Sequence, residues 1–114
     1  MSDDCVFCKI YRGEIPATEV ERSGDALVFR DQNAQAPTHL LVIPKRHATN
    51  LSDFTYAAPS DEVGELFALA SRAGQTACPG GYRVVVNEGV DAGQTVHHLH
   101  LHVLGGRALE WPPG

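Results

Sequence analysis

A chain of 114 residues, 43% of them apolar, can build one hydrophobic core. A domain of this size removes about 65% of its unfolded surface from water, which argues against disorder and against any need for covalent staples. Asp and Glu outnumber Lys and Arg 14 to 9, for a formal charge of −5, which disfavours a surface for long nucleic acid because that needs a basic patch. No apolar run approaches the roughly 18–20 residues of a membrane span, and residues 40–44 are the longest candidate. The acidic N-terminus lacks the basic-then-apolar layout of a signal peptide, so a cytoplasmic protein of one domain, residues 1–114, is expected.

In chain order, residues 5–12 read as one or two helical turns, stopped by Gly13 and Pro16. Residues 18–22 and 26–30 read as two strands joined at Ser23-Gly24-Asp25, a hairpin. A third strand, 39–43, has a continuous apolar run that suits a central position, and Pro44 ends it. Ser60 can cap a helix of about 16–18 residues in which Val63, Leu66, Phe67, Ala70 and Ala73 recur at helical spacing. Pro79-Gly80-Gly81 stops it, residues 82–87 form a fourth strand, and 88–94 a glycine-bearing loop. The last strand is expected to begin at Thr95 or Val96 and to end near Leu104. Five strands in mostly hairpin order with one main helix give an α+β domain. The chain has no internal repeat, no dinucleotide fingerprint and no glycine-rich loop before a Lys-Ser/Thr pair.

The chemistry concentrates in His98-Leu99-His100-Leu101-His102-Val103-Leu104. Side chains alternate along a strand, so His98, His100 and His102 share one face, while Leu99, Leu101 and Val103 face the core. His97 points the other way and is assigned no chemistry. A neutral imidazole has one bare and one protonated nitrogen. If Nδ1–H donates to a backbone carbonyl, Nε2 faces outward as a nucleophile, and phosphorus is a suitable target because the resulting phosphoimidazolium is a good leaving group for water. Chance clustering and a metal site are the competing readings of so many histidines. Upstream, Gly93-Gln94-Thr95 supplies an amide and a hydroxyl near the strand entry, and Asn87 a further donor. Such groups matter because phosphoryl transfer rests on positioning and charge stabilisation.

Three cysteines do not make a disulfide framework. Cys5 and Cys8 have metal-ligand or redox spacing, and Cys78 reads as a small buried hydrophobe.

The histidine motif resembles the signature of the histidine triad (HIT) superfamily, and the chain is similar to its Hint branch. The likeness extends through Cys8-Lys9-Ile10, Gly13-Glu14-Ile15-Pro16, Ala36-Pro37-Thr38-His39, Leu41-Val42-Ile43-Pro44-Lys45, Val85-Val86-Asn87-Glu88-Gly89, Gly93-Gln94-Thr95, Leu104-Gly105-Gly106-Arg107 and Trp111-Pro112-Pro113-Gly114. It implies a HIT-like fold: a five-stranded antiparallel sheet with one main helix and a short N-terminal helix, dimerising into a ten-stranded sheet. It implies hydrolysis of the P–N bond of purine nucleoside 5′-phosphoramidates through a nucleotidyl-histidine, with no organic cofactor. His100 matches the nucleophile, and His98 the residue whose carbonyl orients it. His102 matches a phosphate-contacting histidine, and His39 a fourth histidine beside the triad. Asn87, Gly93 and Gln94 match phosphate-side positions, and Thr95 stands where a serine often contacts the leaving group. Asp31 matches a carboxylate for the ribose hydroxyls, Gln32 its sugar-pocket neighbour, and Trp111 a tryptophan that reaches the partner's active site. Some bacterial members bind structural zinc at positions that correspond here to Cys5, Cys8, His47 and His98. Glu110 is expected to disfavour acidic leaving groups.

Three other activities are open. Dinucleoside polyphosphate hydrolysis and nucleotidyl transfer belong to the same superfamily, and a nucleotide- or zinc-binding module without turnover is the non-enzymatic reading. The Gly105-Gly106-Arg107 and Trp111–Gly114 ending argues against the first, and His102, where transferases tend to carry glutamine, against the second.

Overall fold

A computed structural model describes residues 4–114. Met1, Ser2 and Asp3, where the reading of the N-terminus as acidic and signal-free begins, lie outside the described residues. The elements in order are α1 (Val6–Tyr11), β1 (Glu19–Arg22), β2 (Ala26–Arg30), β3 (Thr38–Pro44), α2 (Leu51–Ala57), α3 (Ser60–Ala77), β4 (Tyr82–Val86) and β5 (Leu101–Gly105). The strands form one sheet in the order β1-β2-β3-β5-β4, antiparallel throughout. No described helix is long and apolar enough to cross a membrane.

Strand alternation divides the sheet into two working faces. Val28, Leu40, Val42, Leu101 and Val103 point to one side and pack against Leu66, Leu69, Ala70 and Ala73 of α3, together with Phe54 of α2. Each large aliphatic side chain buried there contributes roughly 1.5–3 kcal/mol. Leu27, Phe29, Leu41 and Ile43 point to the other side, where Phe7 of α1 covers them. His39 shares that second face with Leu41 by alternation, and β5 pairs Leu41 with His102. The functional histidines therefore lie on the α1 face, backed by a sheet whose reverse is solid core.

The central placement of β3 agrees with its apolar run, since every residue from His39 to Pro44 is buried. Pro44 is still paired, opposite Ala26, and closes the strand rather than following it. Three local expectations are corrected. Ser60 is the first helical residue of α3 and Pro59 the cap, with no side-chain bond; Asp61 and Glu62 complement the helix N-terminus instead. Phe67 is 39% exposed while Leu69 is fully buried, so the helix is rotated relative to the expected stripe. A second helix, α2, was not expected. It starts where Asn50 accepts from the Asp53 N–H at 2.9 Å, and the Glu88 carboxylate receives both the N–H and hydroxyl of Ser52.

The fourth correction concerns the histidine segment. β5 begins at Leu101, not at Thr95 or Val96. The amide of Leu99 donates to the Ala48 carbonyl at 2.8 Å, so residues 96–100 are diverted from the sheet toward the segment after β3. The alternation persists nonetheless: Leu99 enters the core with Leu101 and Val103, and His98 and His100 turn toward α1.

Candidate active site and metal centre

Two histidine clusters lie side by side, and hydrogen-bonded backbone groups give them opposite chemistry. In the first, Cys5 caps α1 and its sulfur accepts the Cys8 N–H at 3.2 Å, which brings both thiols to one helix end. Cys5 Sγ lies 3.1 Å from His98 Nδ1, and Cys8 Sγ lies 3.4 Å from His47 Nδ1 and 3.5 Å from His98 Nδ1. The two Nδ1 atoms are 3.2 Å apart, and all four donor atoms lie within 4.8 Å of one another.

A tetrahedral zinc ion with ordinary bond lengths would have N···N edges of about 3.3 Å and S···N edges of about 3.6 Å. Most of the distances approach those edges. The tautomer also fits. His98 Nε2–H donates to the Pro44 carbonyl at 3.0 Å, which leaves Nδ1 bare for a metal. Burial strips the imidazolium of water and lowers the pKa of His98 to about 4, with His47 and His100 adding to the shift and the Pro44 carbonyl opposing it. This is a Cys2His2 set consistent with a structural zinc site.

The second cluster is Asp31, His39 and His102. The Gln35 N–H donates to His39 Nδ1 at 3.0 Å, so the neutral ring carries its proton on Nε2. That N–H faces His102 Nδ1 at 2.9 Å and Asp31 Oδ2 at 3.2 Å. His39 is thus a hydrogen-bond donor in this arrangement, not a metal ligand, and its bond to His102 puts the His102 proton on Nε2. Burial lowers the pKa of His102 to about 4, reinforced by His100 and His39 and opposed by Asp31, so His102 is neutral at pH 7.

His100 stands between the clusters. Its Nδ1–H donates to the His98 carbonyl at 2.8 Å, leaving the Nε2 lone pair available. Its ring lies 5.0 Å from that of His102 and meets Phe7 edge-on at 5.1 Å. His100 and His102 border a cavity of about 350 Å³ whose walls include Asp31, Gln32 and Thr95. Its apolar lining includes Phe7, Ile10, Ile15, Ala17, Phe29 and Leu41, none of which the sequence had assigned to the site. Arg30 lies on its wall as well. Asp31 is also a turn residue, its Oδ1 accepting the Asn33 N–H at 2.8 Å.

The remaining candidates lie elsewhere. Asn87, Gly93, Gln94 and Trp111 are not on the wall of that cavity. Gln94 is buried, and its side chain is committed to the backbone: its Nε2 donates to the Thr49 and Val96 carbonyls at 2.6 and 3.1 Å, and its Oε1 accepts the Gly89 N–H at 3.0 Å. In this structure Gln94 pins the 88–96 loop, rather than offering a free donor. Gly93 turns that loop with φ +85°. Trp111 is 80% exposed, and the Arg83 guanidinium holds the preceding Glu110 carbonyl at 2.9 Å, beside β4. His97 is exposed and borders a surface cavity together with Cys5 and His47.

The HIT domain family matches residues 12–109 of this sequence. The chain belongs to the HIT family. It is 49% identical over 118 aligned positions to an uncharacterised HIT-like protein of Synechococcus elongatus, covering all of both chains. It is 44% identical to a 14 kDa zinc-binding protein of Zea mays, covering 96% of this chain and 87% of that protein. Among solved structures, a HIT family hydrolase from Legionella pneumophila superposes with a TM-score of 0.87 at 44% identity, covering 97% of this chain and 100% of that one. The fold is HIT-like, and the histidine constellation is consistent with an active nucleotide hydrolase.

Proposed function

We propose that this HIT protein belongs to the Hint branch and hydrolyses the P–N bond of purine nucleoside 5′-phosphoramidates through a nucleotidyl-His100 intermediate. One observation carries the reading: the His98 carbonyl fixes the proton of His100 on Nδ1, so the bare Nε2 is a nucleophile beside a nucleotide-sized cavity.

In the first step His100 Nε2 forms a bond to the α-phosphorus, and the amine departs with the P–N electron pair and a proton taken from solvent water. The ring becomes cationic, and the His98 carbonyl accepting its Nδ1–H stabilises that charge. His102, neutral and held by His39, offers Nε2–H to a phosphoryl oxygen. The apolar walls take the purine, Asp31 and Gln32 the sugar, and Thr95 the leaving-group side. Water then cleaves the P–Nε2 bond, releasing the monophosphate and restoring neutral His100. Zinc held by Cys5, Cys8, His47 and His98 would supply a structural cross-link, not a reacting group.

The active unit is a homodimer in this reading. The edge strand β1 carries Glu19, Glu21 and Arg22, charges that resist pairing with another strand. The opposite edge, β4, reads Tyr-Arg-Val-Val-Val, has Val84 37% exposed, and bears the tethered C-terminal segment with its uncovered Trp111. Pairing two β4 edges would give a ten-stranded sheet and bring Trp111 toward the partner's site.

The test is AMP release from adenosine 5′-phosphoramidate by the native protein and by His100→Ala. Release by the native protein, abolished in a folded variant, supports the mechanism. A folded, zinc-loaded dimer that releases no AMP refutes the phosphoramidase reading, and turnover of dinucleoside polyphosphates instead would replace it.

A further inference from the structure

We propose that Cys5, Cys8 and His47 are positioning residues for the nucleophile: a metal ion they share with His98 fixes the His98 carbonyl and thereby holds the His100 tautomer. The activity arm of this inference rests on the hydrolase reading above, but its tautomer arm does not.

His98 faces two ways. Its side chain supplies Nδ1 to the Cys2His2 set, and its backbone oxygen accepts the Nδ1–H of His100 at 2.8 Å. The distance between the two functions is one residue's own covalent frame, so displacement of the ring moves the carbonyl. Ordinary strand pairing does not hold that carbonyl, because β5 starts three residues later, at Leu101. What anchors residue 98 is its neighbour's bond from Leu99 to Ala48, its own Nε2–H to Pro44, and the thiol–imidazole cluster. The first two attach it to the chain just after β3. The cluster joins it to α1, beside the edge-on packing of the α1 residue Phe7 against His98 at 6.0 Å and His100 at 5.1 Å. A metal there ties α1, residue 47 and residue 98 into one body around the nucleophile.

Metal exchange has a route. Cys8 and His98 are buried, but Cys5 is only partly so, and Cys5 and His47 border an open surface cavity. That cavity shares Val6, Thr95 and Val96 with the catalytic one. Without a metal, each thiol can donate to an imidazole nitrogen, Cys5 to His98 and Cys8 to His47, so stripping the metal is expected to loosen residue 98 without unfolding the domain.

The experiment compares zinc-loaded and chelator-stripped protein labelled with ¹⁵N in its histidines. The imidazole nitrogen shifts of His100 report its tautomer, and steady-state kinetics with adenosine 5′-phosphoramidate report kcat and KM. Loaded protein should show His100 as the Nδ1–H tautomer. Stripping should move its signals toward an averaged pattern and lower kcat about 10-fold, with KM changed less than about twofold because the base and sugar contacts remain. Adding zinc back should restore both. His47→Ala removes one ligand and its ring contact with His98 at 4.9 Å, and should resemble the stripped protein; His47→Cys restores a ligand without that ring and should resemble the loaded one, which separates the metal from the ring packing. If stripping unfolds the chain, zinc is compared with the larger cadmium ion, and the His100 Nδ1–H resonance should shift between them. Unchanged His100 signals across metal states would overturn the coupling. If the loaded protein has no turnover, the hydrolase reading falls and the tautomer signals alone decide this one.

Discussion

Replacing His39 by alanine tests the hydrogen-bond chain that orients His102. His39 is 6% exposed, receives the Gln35 N–H on Nδ1, and presents Nε2–H to His102 at 2.9 Å. Without it, His102 Nδ1 has no donor and the ring can place its proton on either nitrogen. A net hydrogen bond is worth about 1 kcal/mol, and a buried acceptor left unmet costs up to about 3 kcal/mol. His102 keeps partial contact with solvent, so a loss of about 1–2 kcal/mol is expected. At 1.36 kcal/mol per factor of ten, that lowers kcat about 5- to 30-fold. His39→Gln places an amide N–H near the lost Nε2–H and should recover part of the rate. The assay is steady-state hydrolysis of adenosine 5′-phosphoramidate, with circular dichroism confirming that each variant folds. Wild-type kcat in folded His39→Ala, or a glutamine variant no better than alanine, would refute the chain of tautomers.

Other expectations concern the scaffold. Gln94→Ala removes three backbone-directed bonds, so amide hydrogen exchange should accelerate across residues 88–96 and kcat should fall as Thr95 loses its frame. In Gly105→Ala the new Cβ would stand 2.5 Å from Cys78 Sγ and 3.1 Å from the Gly81 carbonyl; overpacking of this kind should lower stability by about 1–3 kcal/mol in urea unfolding. Acid should destabilise the metal-free protein. His98 and His102 have folded pKa values lowered to about 4 against 6.5 unfolded, so the unfolded chain binds more protons between those values. Their contribution is intact above pH 6.5 and is lost as pH falls toward 4, by at most about 1.4 kcal/mol per pH unit for His98 and less for partly solvated His102. Urea midpoints measured from pH 7 to 4.5 check the sign, and a midpoint that rises on acidification contradicts it.

The sequence and the structure agree where a pattern has one physical solution. The alternation of His98, Leu99, His100, Leu101 and His102 separates a reactive face from a core face, and the structure keeps that separation even where strand pairing has not begun. The run from His39 to Pro44 is buried throughout because β3 is central and covered on both sides. Features that depend on distant partners were illegible. Helix α2 is short and contains Thr55, Tyr56 and Phe54, weak helix formers, and its first turn depends on Asn50 and on Glu88 across the chain. Gln94 reads as a phosphate donor in sequence because nothing local reveals the Thr49 carbonyl that occupies its amide. The same limit hid Gln35 and Pro44, whose contributions are a backbone N–H and a backbone carbonyl that no side chain announces. Those two groups decide which cluster suits a metal and which relays hydrogen bonds.

The central claim is that His100 becomes covalently bonded to the nucleotide. The direct measurement is rapid acid-free quenching of the native protein during turnover of adenosine 5′-phosphoramidate, followed by peptide mass spectrometry. A single nucleoside monophosphate on the peptide containing His100, localised to that ring and absent in His100→Ala, is the predicted result. Turnover with no adduct on any histidine, or an adduct on His102 or His39 that persists in His100→Ala, would contradict it.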